Sequence, residues 1–546
     1  MKQLNTLLAL LLCAVVTQVN AQAQEGRFLQ EVFTDVSVTN DVTYGVNATL
    51  IALPFVGEAI PEELKLDIYE PMGDDDFESR PLVLVAHSGN FLPVPQNASI
   101  IGTRRDSSVV EVCTRLAKMG YVAAAISYRQ GWNPLAPTQP DRALGLIQAA
   151  YRGVQDARTA VRFFKRTAAE NGNPYRIDSD RITVWGNGTG GYVSLAAASL
   201  DQYSEIITTT NGPGKFLLDL NEDSVPETPM LVESIHGDVE GKTVGVDVMG
   251  VFGVPAGDTL SYPNHVDYSS DFQLCVNIGG DIGDISWVDE KTPPMIIFQS
   301  AFDIFAPYDD GVLVVPTTND PIVRVQGGKA IMEKATELGL NQVFIDANID
   351  DVFTEQAKNN SALAEHEYFE GLSPTVLPPN ALGIDEGVVI DWWDPEALAP
   401  SDPPLPWNQL PHPAGGTFHE QGMVGNMGMS AEKARANLDT IFGYFTPRAY
   451  AALDLAPLVN VKELASADVK LSVQPNPATN MVLFSSEASN PILDVELYDL
   501  NGRLLRTFRG VDNSYFFLHR QDLRTGLYVA KVRFESGIVA KRIIFE

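Results

Sequence analysis

At 546 residues the chain is too long for one ordinary domain, and a hydrophobic content of 45% predicts two or three folded units. The formal net charge of −32 at pH 7 argues against nucleic acid or an anionic membrane surface as a partner, because both repel acidic proteins. Beyond the leader segment the only cysteines are Cys113 and Cys275, which are too few for a disulfide framework. Their apolar neighbours favour buried free thiols, and a single disulfide is the alternative.

The first residues are typical of a secretory signal peptide. Lys2 supplies the positive start, residues 7–16 form the apolar stretch, and Val19-Asn20-Ala21 fits the small-residue cleavage site. The apolar stretch is too short to cross a bilayer, and no later segment is long enough, so the sequence predicts no membrane span. We therefore expect residues 1–21 to be a removable export signal.

Between about residues 27 and 455, strand-like and helix-like patterns alternate, which predicts an α/β protein with a mostly parallel sheet. In chain order the predicted strands are 64–69, 82–86, 121–126, 182–185, 273–278, 295–298 and 343–345. The predicted helices are 107–119, 145–165, 192–198, 328–338 and 431–445. Two stretches, 211–267 and 351–416, fit no minimal sheet-and-helix layout and are predicted to be lids, binding surfaces or disordered insertions.

The sequence Trp185-Gly186-Asn187-Gly188-Thr189-Gly190-Gly191 lies between a predicted strand and a small-residue helix. Strand, glycine-rich turn and helix form the context of the nucleophile elbow, G-x-S-x-G. When the sequence is aligned with this motif without gaps, Gly186 and Gly190 take its two glycine positions. The serine position is then occupied by Gly188, which has no side chain. Thr189 carries a hydroxyl, but in this alignment its side chain starts the helix, so it is a weak alternative nucleophile.

With this elbow, residues 64–450 resemble secreted carboxylesterases and lipases of the α/β-hydrolase fold. His87-Ser88-Gly89-Asn90 follows the predicted third strand, where the family has its H-G-G oxyanion loop. The resemblance implies an oxyanion hole built from Ser88, Gly89 and Thr189, with Ser88 in place of a glycine. His87 is expected to hold the loop by hydrogen bonds, and we assign it no proton transfer.

The same resemblance implies an acid and a base. Gln299-Ser300-Ala301-Phe302-Asp303 matches the loop after the family's seventh strand, which gives Asp303 the triad acid position. The base must follow the acid in the chain, and the candidates are His366, His412 and His419. His419 is chosen because it lies in a glycine-rich loop before the predicted last helix. A turn-capping role is the alternative for Asp303.

Because the acid, the base and part of the oxyanion loop can be carried over but the nucleophile cannot, the leading hypothesis is a pseudoenzyme or a binder of small acyl or glycan ligands. The first alternative is a functional ester hydrolase that uses Thr189 or a water molecule activated by His419. The second alternative is a structural cell-surface protein. The sequence predicts no cofactor and no metal site.

From about Val469 the pattern changes to short alternating strands, which predict a small β-sandwich. This segment resembles the type IX secretion sorting domain of Bacteroidota-type bacteria; the matching motifs are Pro475-Asn476-Pro477, Tyr498-Asp499-Leu500-Asn501-Gly502-Arg503, residues 526–532 and residues 541–544. Asn501-Gly502 is also a hairpin-turn signal. The resemblance implies a hydrolase-like domain at 27–455, a linker at 456–468 and a sorting domain at 469–546. It also implies contact with the secretion machinery and a secreted or surface-attached location.

Overall fold

A computed structural model describes residues 26–74, 79–212, 214–219, 225–251, 253–303, 306–314, 321–376, 389–456, 466, 469–498, 504–521, 523–534 and 537–546. The predicted signal peptide and most of the predicted linker lie outside these residues. The chain divides into two compact units after Leu453.

The larger unit is built on one eight-stranded sheet. Its strands are β1 (Val36–Thr49), β2 (Ile60–Pro71), β3 (Arg80–Ala86), β4 (Val122–Ile126), β5 (Ile177–Asn187), β6 (Leu274–Ile278), β7 (Met295–Ser300) and β8 (Leu372–Thr375). Their order is β1-β2-β4-β3-β5-β6-β7-β8, with the β1–β2 and β2–β4 pairs antiparallel and all other pairs parallel. Every residue of β3 and β7 is buried, as expected where helices cover both faces of a parallel sheet. This arrangement confirms the predicted α/β-hydrolase fold.

The longer helices of this unit are α1 (Ser107–Met119), α2 (Gln139–Glu170), α3 (Thr189–Ser199), α4 (Gly328–Leu338), α5 (Val352–Leu363) and α6 (Ala431–Ala452). Short helical segments are Leu53–Val56, Tyr203–Ile207, Glu233–His236, Gln342–Ala347, Phe418–Gly422 and the 3-10 turn Ile285–Trp287. Helix α1 ends where predicted, because Gly120 adopts the left-handed conformation that closes a helix. Helix α2 begins six residues earlier than predicted, since Thr138 caps it by accepting a hydrogen bond from Asp141 N.

The prediction of a last strand at Val343-Phe344-Ile345 is wrong. These residues belong to the short helix Gln342–Ala347, because a three-residue apolar run does not distinguish a strand from a helix. The last strand is β8, whose Pro374 and Ser373 concealed it in the sequence. As the edge strand beside β7, it tolerates a proline that a central strand would exclude.

The two predicted insertions contain regular structure. Stretch 211–267 includes the paired strands Leu217–Leu218 with Thr228–Pro229 and Gly245–Asp247 with Asp258–Ser261. Stretch 351–416 includes α5 and β8, so its first part belongs to the central layers and is not an insertion. A third hairpin pairs Asp310–Val314 with Pro321–Gln326.

The core lies between the sheet and its helices. Trp185 of β5 is fully buried and packs edge-on against Phe445 of α6, with ring centroids 5.0 Å apart. Cys113 and Cys275 are both buried and free, as the apolar context predicted. Among the described helices, none combines the length and the apolar character that a bilayer crossing would need.

The smaller unit consists of β9 (Ser472–Gln474), β10 (Met481–Ser485), β11 (Asp494–Tyr498), β12 (Leu504–Phe508), β13 (Tyr515–His519), β14 (Gly526–Phe534) and β15 (Gly537–Phe545). One sheet has the order β9-β10-β13 and the other β12-β11-β14-β15. Side chains from both sheets form one core, which confirms the predicted all-β sandwich. The predicted turn at Asn501-Gly502 lies outside the described residues, between the antiparallel strands β11 and β12.

Candidate active site

The turn between β5 and α3 is the single residue Gly188. Its φ of 52° and ψ of −116° are a conformation that costs a residue with a side chain about 1–3 kcal/mol. Its N–H donates to the carbonyl of Ile278 at 2.8 Å, which ties the turn to β6. A Cβ on Gly190 would lie 2.3 Å from the carbonyl oxygen of Ala86, so the start of α3 sits directly on β3. The turn is therefore tight and strained, as a nucleophile elbow is.

The hydroxyl of Ser88 occupies the space in front of Gly188. A Cβ built on Gly188 would lie 2.3 Å from Ser88 Oγ and 3.0 Å from Ser88 Cβ. Because these separations are shorter than van der Waals contact, a side chain at position 188 would move the Ser88 hydroxyl out of its present position. The loop after β3 thus places a hydroxyl where a nucleophile's side chain would begin. Sequence patterns alone could not reveal this juxtaposition.

Neighbouring groups hold this loop firmly. Gly89 has a φ of 122°, and a Cβ there would lie 2.6 Å from Gly102 Cα. The His87 ring is buried, stacks on Tyr128 with centroids 4.6 Å apart, and places Nδ1 2.5 Å from the Ser88 carbonyl. The Tyr128 hydroxyl donates to the His87 carbonyl at 2.8 Å and lies 3.3 Å from Thr189 Oγ1. Tyr128 therefore links the loop after β3 to the start of α3.

Acidification should destabilise the larger unit through His87. Burial lowers the pKa of His87 from its ordinary 6.5 to about 4, so the folded state binds this proton more weakly than the unfolded state. The free energy of unfolding is then unaffected well above pH 6.5 and falls as the pH drops towards 4. For this group the expected loss between about pH 7.5 and about pH 5 is roughly 2 kcal/mol.

The His87→Asn variant should lack this part of the pH dependence, while the exposed-site control His519→Asn should behave as the wild type does. Urea unfolding followed by tryptophan fluorescence measures the free energy of unfolding at each pH. All six tryptophans precede Leu453 and therefore report on the larger unit. His236, whose pKa burial also lowers to about 4, contributes equally to all three proteins. An equal loss in wild type and His87→Asn would contradict the expectation.

Two carboxyl groups lie beyond the ends of β6 and β7. Asp303, the predicted acid, follows β7 and accepts from the N–H of Ala306 at 2.9 Å. Asp281 follows β6, is fully buried, and accepts from Gln299 Nε2 at 3.0 Å and from the Tyr192 hydroxyl at 3.1 Å. Burial, with the charge of nearby Asp303, raises the pKa of Asp281 well above its usual range. The sequence reading missed Asp281, although its place just after a strand and two glycines is a usable signal.

His419, the predicted base, lies in the helix Phe418–Gly422, which Thr417 and Glu420 cap reciprocally. The indole N–H of Trp393 donates to His419 Nδ1 at 3.1 Å. In a catalytic triad Nδ1 carries the proton that is donated to the acid, whereas here it accepts. A neutral ring then has its proton on Nε2, so Nε2 cannot take a proton from a nucleophile. The contacts therefore give His419 a different partner from the one that the triad hypothesis requires.

The other two histidine candidates also have partners of their own. His366 Nε2 lies 2.7 Å from the Tyr308 hydroxyl, and its Nδ1 lies 2.6 Å from the Glu367 carbonyl. His366 follows Asp303 in the chain, as the predicted base should, and lies before β8. His412 Nε2 lies 3.1 Å from the carbonyl of Ala98. The described contacts do not join either ring to Asp303.

A cavity of about 350 Å³ lies beside the elbow, with Thr189 and Tyr192 in its wall. Most of the other lining side chains are aliphatic or aromatic, including Phe91, Leu146 and Val325. A cavity of this size beside an elbow is a typical place for a small ligand. The larger unit therefore keeps a binding volume next to the position that lacks a nucleophile.

Residues 66–223 match the BD-FAE family, and residues 472–546 match the secretion system C-terminal sorting domain. The chain thus carries an esterase-like α/β-hydrolase domain followed by a type IX secretion sorting domain. The sorting domain indicates secretion or attachment at the cell surface and implies contact with the secretion machinery. No curated protein matches the chain.

Similar solved structures are esterases. Thermogutta terrifontis esterase 2, phosphoramylated by tabun, is 17% identical, with 50% of this chain and 74% of that chain covered and a TM-score of 0.26. A truncated form of a carbohydrate esterase from gut microbiota is 16% identical, with 51% and 81% covered and a TM-score of 0.27.

Proposed function

We propose that the chain is a secreted, non-catalytic ligand-binding protein built on an esterase scaffold. The observation that carries this proposal is Gly188, which keeps the strained backbone of a nucleophile elbow while Ser88 Oγ fills the space of the missing side chain. The hydrogen bond from Trp393 to His419 supports the proposal. With Nδ1 accepting this bond, the His419 ring does not have the protonation pattern that a triad base needs. The retained cavity supports a ligand-binding role over a purely structural one.

The alternative functions are ester hydrolysis through Thr189 or a water molecule activated by His419, and a structural role at the cell surface. The contacts disfavour Thr189 as a nucleophile. The Tyr128 hydroxyl gives its proton to the His87 carbonyl, so the Thr189 hydroxyl donates to Tyr128 and meets no base there. Asp281 lines the same cavity as Thr189, and its carboxyl accepts hydrogen bonds from Gln299 Nε2 and the Tyr192 hydroxyl.

The proposal also includes the route and layout of the chain. Residues 1–21 would direct export across the inner membrane, and residues 469–546 would direct passage across the outer membrane by contacting the secretion machinery. Residues 27–455 would form the ligand-binding domain, with a linker at 456–468.

Hydrolysis of short-chain aryl esters tests the absence of catalysis. The rates of Ser88→Ala, Thr189→Val and His419→Gln should stay within about twofold of the wild type, because none of these side chains carries a chemical step. The assay uses the full chain, and circular dichroism verifies that each variant is folded. Removal of a true triad member would instead cost several orders of magnitude. A rate that collapses in Thr189→Val or His419→Gln would establish the hydrolase alternative and refute the proposal.

A further inference from the structure

The cavity beside the elbow is long and follows one face of helix α3. Thr189, Tyr192, Ala196 and Leu200 all line it, at the spacing of one helical face. These eleven residue steps correspond to about 16 Å at the rise of an α-helix. Leu146, Ala150 and Val154 of helix α2 line the cavity as well. A lining that extends along two helices fits an extended ligand better than a compact one.

Several polar groups in the described wall are bonded within the protein, including the buried carboxyl of Asp281, which accepts from Gln299 and Tyr192. The Tyr151 hydroxyl donates to the Gly237 carbonyl at 2.9 Å, and the Trp287 indole donates to the Glu205 carbonyl at 3.0 Å. The Trp132 indole donates to the Asn90 carbonyl at 2.8 Å. A sugar buried here would lose hydrogen bonds to water without replacing them, whereas methylene groups would lose none. The wall therefore favours an apolar chain over a glycan.

Two parts of the cavity lining differ in chemistry. Thr189 is the first residue of α3, and an N–H at that position has no acceptor within its own helix. Leu135, 83% exposed, also lines the cavity, so an apolar side chain borders its opening to solvent. An acyl group fits this polarity if its carbonyl lies at Thr189 and its chain follows α3.

We propose that this cavity binds a single long-chain fatty acyl group, so that the protein acts as a lipid-chain carrier. This inference rests on the proposed non-catalytic function and names its ligand class. Carriage requires no nucleophile, which accounts for an elbow that keeps its geometry without a reactive side chain. The ligand is either a free fatty acid or a neutral acyl ester, since both present the same chain and carbonyl.

Binding of butyrate, octanoate, laurate and palmitate to the full chain tests the proposal. Trp132 and Trp287 line the cavity, so their fluorescence reports binding, and calorimetry gives the affinity. Affinity should rise about fourfold for each added methylene until the cavity is full. Methyl palmitate distinguishes a free fatty acid from a neutral acyl ester as the ligand. Tighter binding of palmitate than of methyl palmitate identifies recognition of the carboxylate, and equal binding identifies recognition of the acyl chain alone. Either result supports binding of the acyl chain in the cavity.

Two substitutions on helix α2 form a matched pair. Ala150→Phe narrows the cavity and should weaken palmitate binding about tenfold or more, the equivalent of about two displaced methylenes, while Ala169→Phe on the exposed face should change nothing. Ala196→Leu, a lining position on helix α3, replaces Ala150→Phe if that variant does not fold. If neither folds, the chain-length series on the wild type decides.

Affinity that does not depend on chain length would overturn the proposal, as would unchanged palmitate binding in a folded Ala150→Phe. Competition between a soluble oligosaccharide and palmitate would overturn it as well. These results leave the proposed non-catalytic function standing. That function fails separately, through ester turnover that depends on Thr189 or His419.

Discussion

The Gly188→Ser variant is expected to have a free energy of unfolding about 1–3 kcal/mol below that of the wild type. Part of this loss is backbone strain, because a serine must adopt the φ of 52° and ψ of −116° of Gly188. A smaller part is the displacement of Ser88 Oγ, which lies 2.3 Å from the position of the new Cβ and can rotate away about its side-chain bond. Restoring the serine alone should therefore destabilise the site without creating an esterase.

A double-mutant cycle separates the two causes. Combining Gly188→Ser with Ser88→Gly removes the overlap and should show a favourable coupling of about 1 kcal/mol or more in urea unfolding. Gly57→Ser is the matched control, since Gly57 also has a positive φ of 81° but open space around it, and its cost should be about 1 kcal/mol. Equal stability of Gly188→Ser and wild type would contradict the strained backbone conformation at Gly188.

The same variants bear on catalysis. We expect aryl-ester hydrolysis to remain at the wild-type rate in the single and the double variant, because His419 Nδ1 still accepts from Trp393. Turnover in the double variant that disappears with His419→Gln would instead show that a complete triad assembles once the serine has room.

The Asp156→Asn variant is expected to lose about 3–5 kcal/mol of unfolding free energy, the cost of leaving a buried charge without its partner. Asp156 of α2 and Arg129, which follows β4, are both fully buried. The Arg129 Nε contacts both carboxylate oxygens at 2.9 and 3.0 Å, and the Arg129 backbone N–H donates to Oδ2 at 2.7 Å. Asparagine keeps the shape but removes the charge that balances the guanidinium.

This ion pair also positions the elbow. Arg129 directly follows Tyr128, whose hydroxyl contacts both the His87 carbonyl and Thr189. Glu170→Gln is the matched control, because Glu170 lies on the same helix in an exposed pair with Arg166, where no measurable change is expected. Urea unfolding followed by tryptophan fluorescence compares the two. If Asp156→Asn is as stable as Glu170→Gln, the pair does not support the fold.

Local sequence patterns predicted the elements that local chemistry controls. Helix 107–119 has the predicted bounds because its periodicity and its closing Gly120 are read from adjacent residues. Helix 328–338 has the predicted bounds for the same reason, with Gly339 in the left-handed conformation at its end. The strand, glycine turn and helix around Gly188 were likewise visible, since the motif spans a few consecutive residues.

Two features that depend on distant partners were not predicted. Strand β8 contains a proline and reads as a loop, yet it forms because β7 offers it a free edge. Asp281 was overlooked because its burial depends on Tyr192 and Gln299, which lie on other elements. Sequence patterns do not show that Asp281 is buried, because contacts between remote segments leave no periodicity in the sequence.

The sequence by itself determined that position 188 is a glycine, that it lies in an elbow, and that a sorting domain follows the hydrolase-like region. Only the tertiary structure decided that Ser88, one hundred residues earlier, fills the space beside that glycine, and that Trp393 engages the ring of His419. The reason is physical. A residue's identity and its local conformation are encoded by its neighbours in the chain, whereas the partner of its side chain is selected by the packing of segments that meet only in the folded protein.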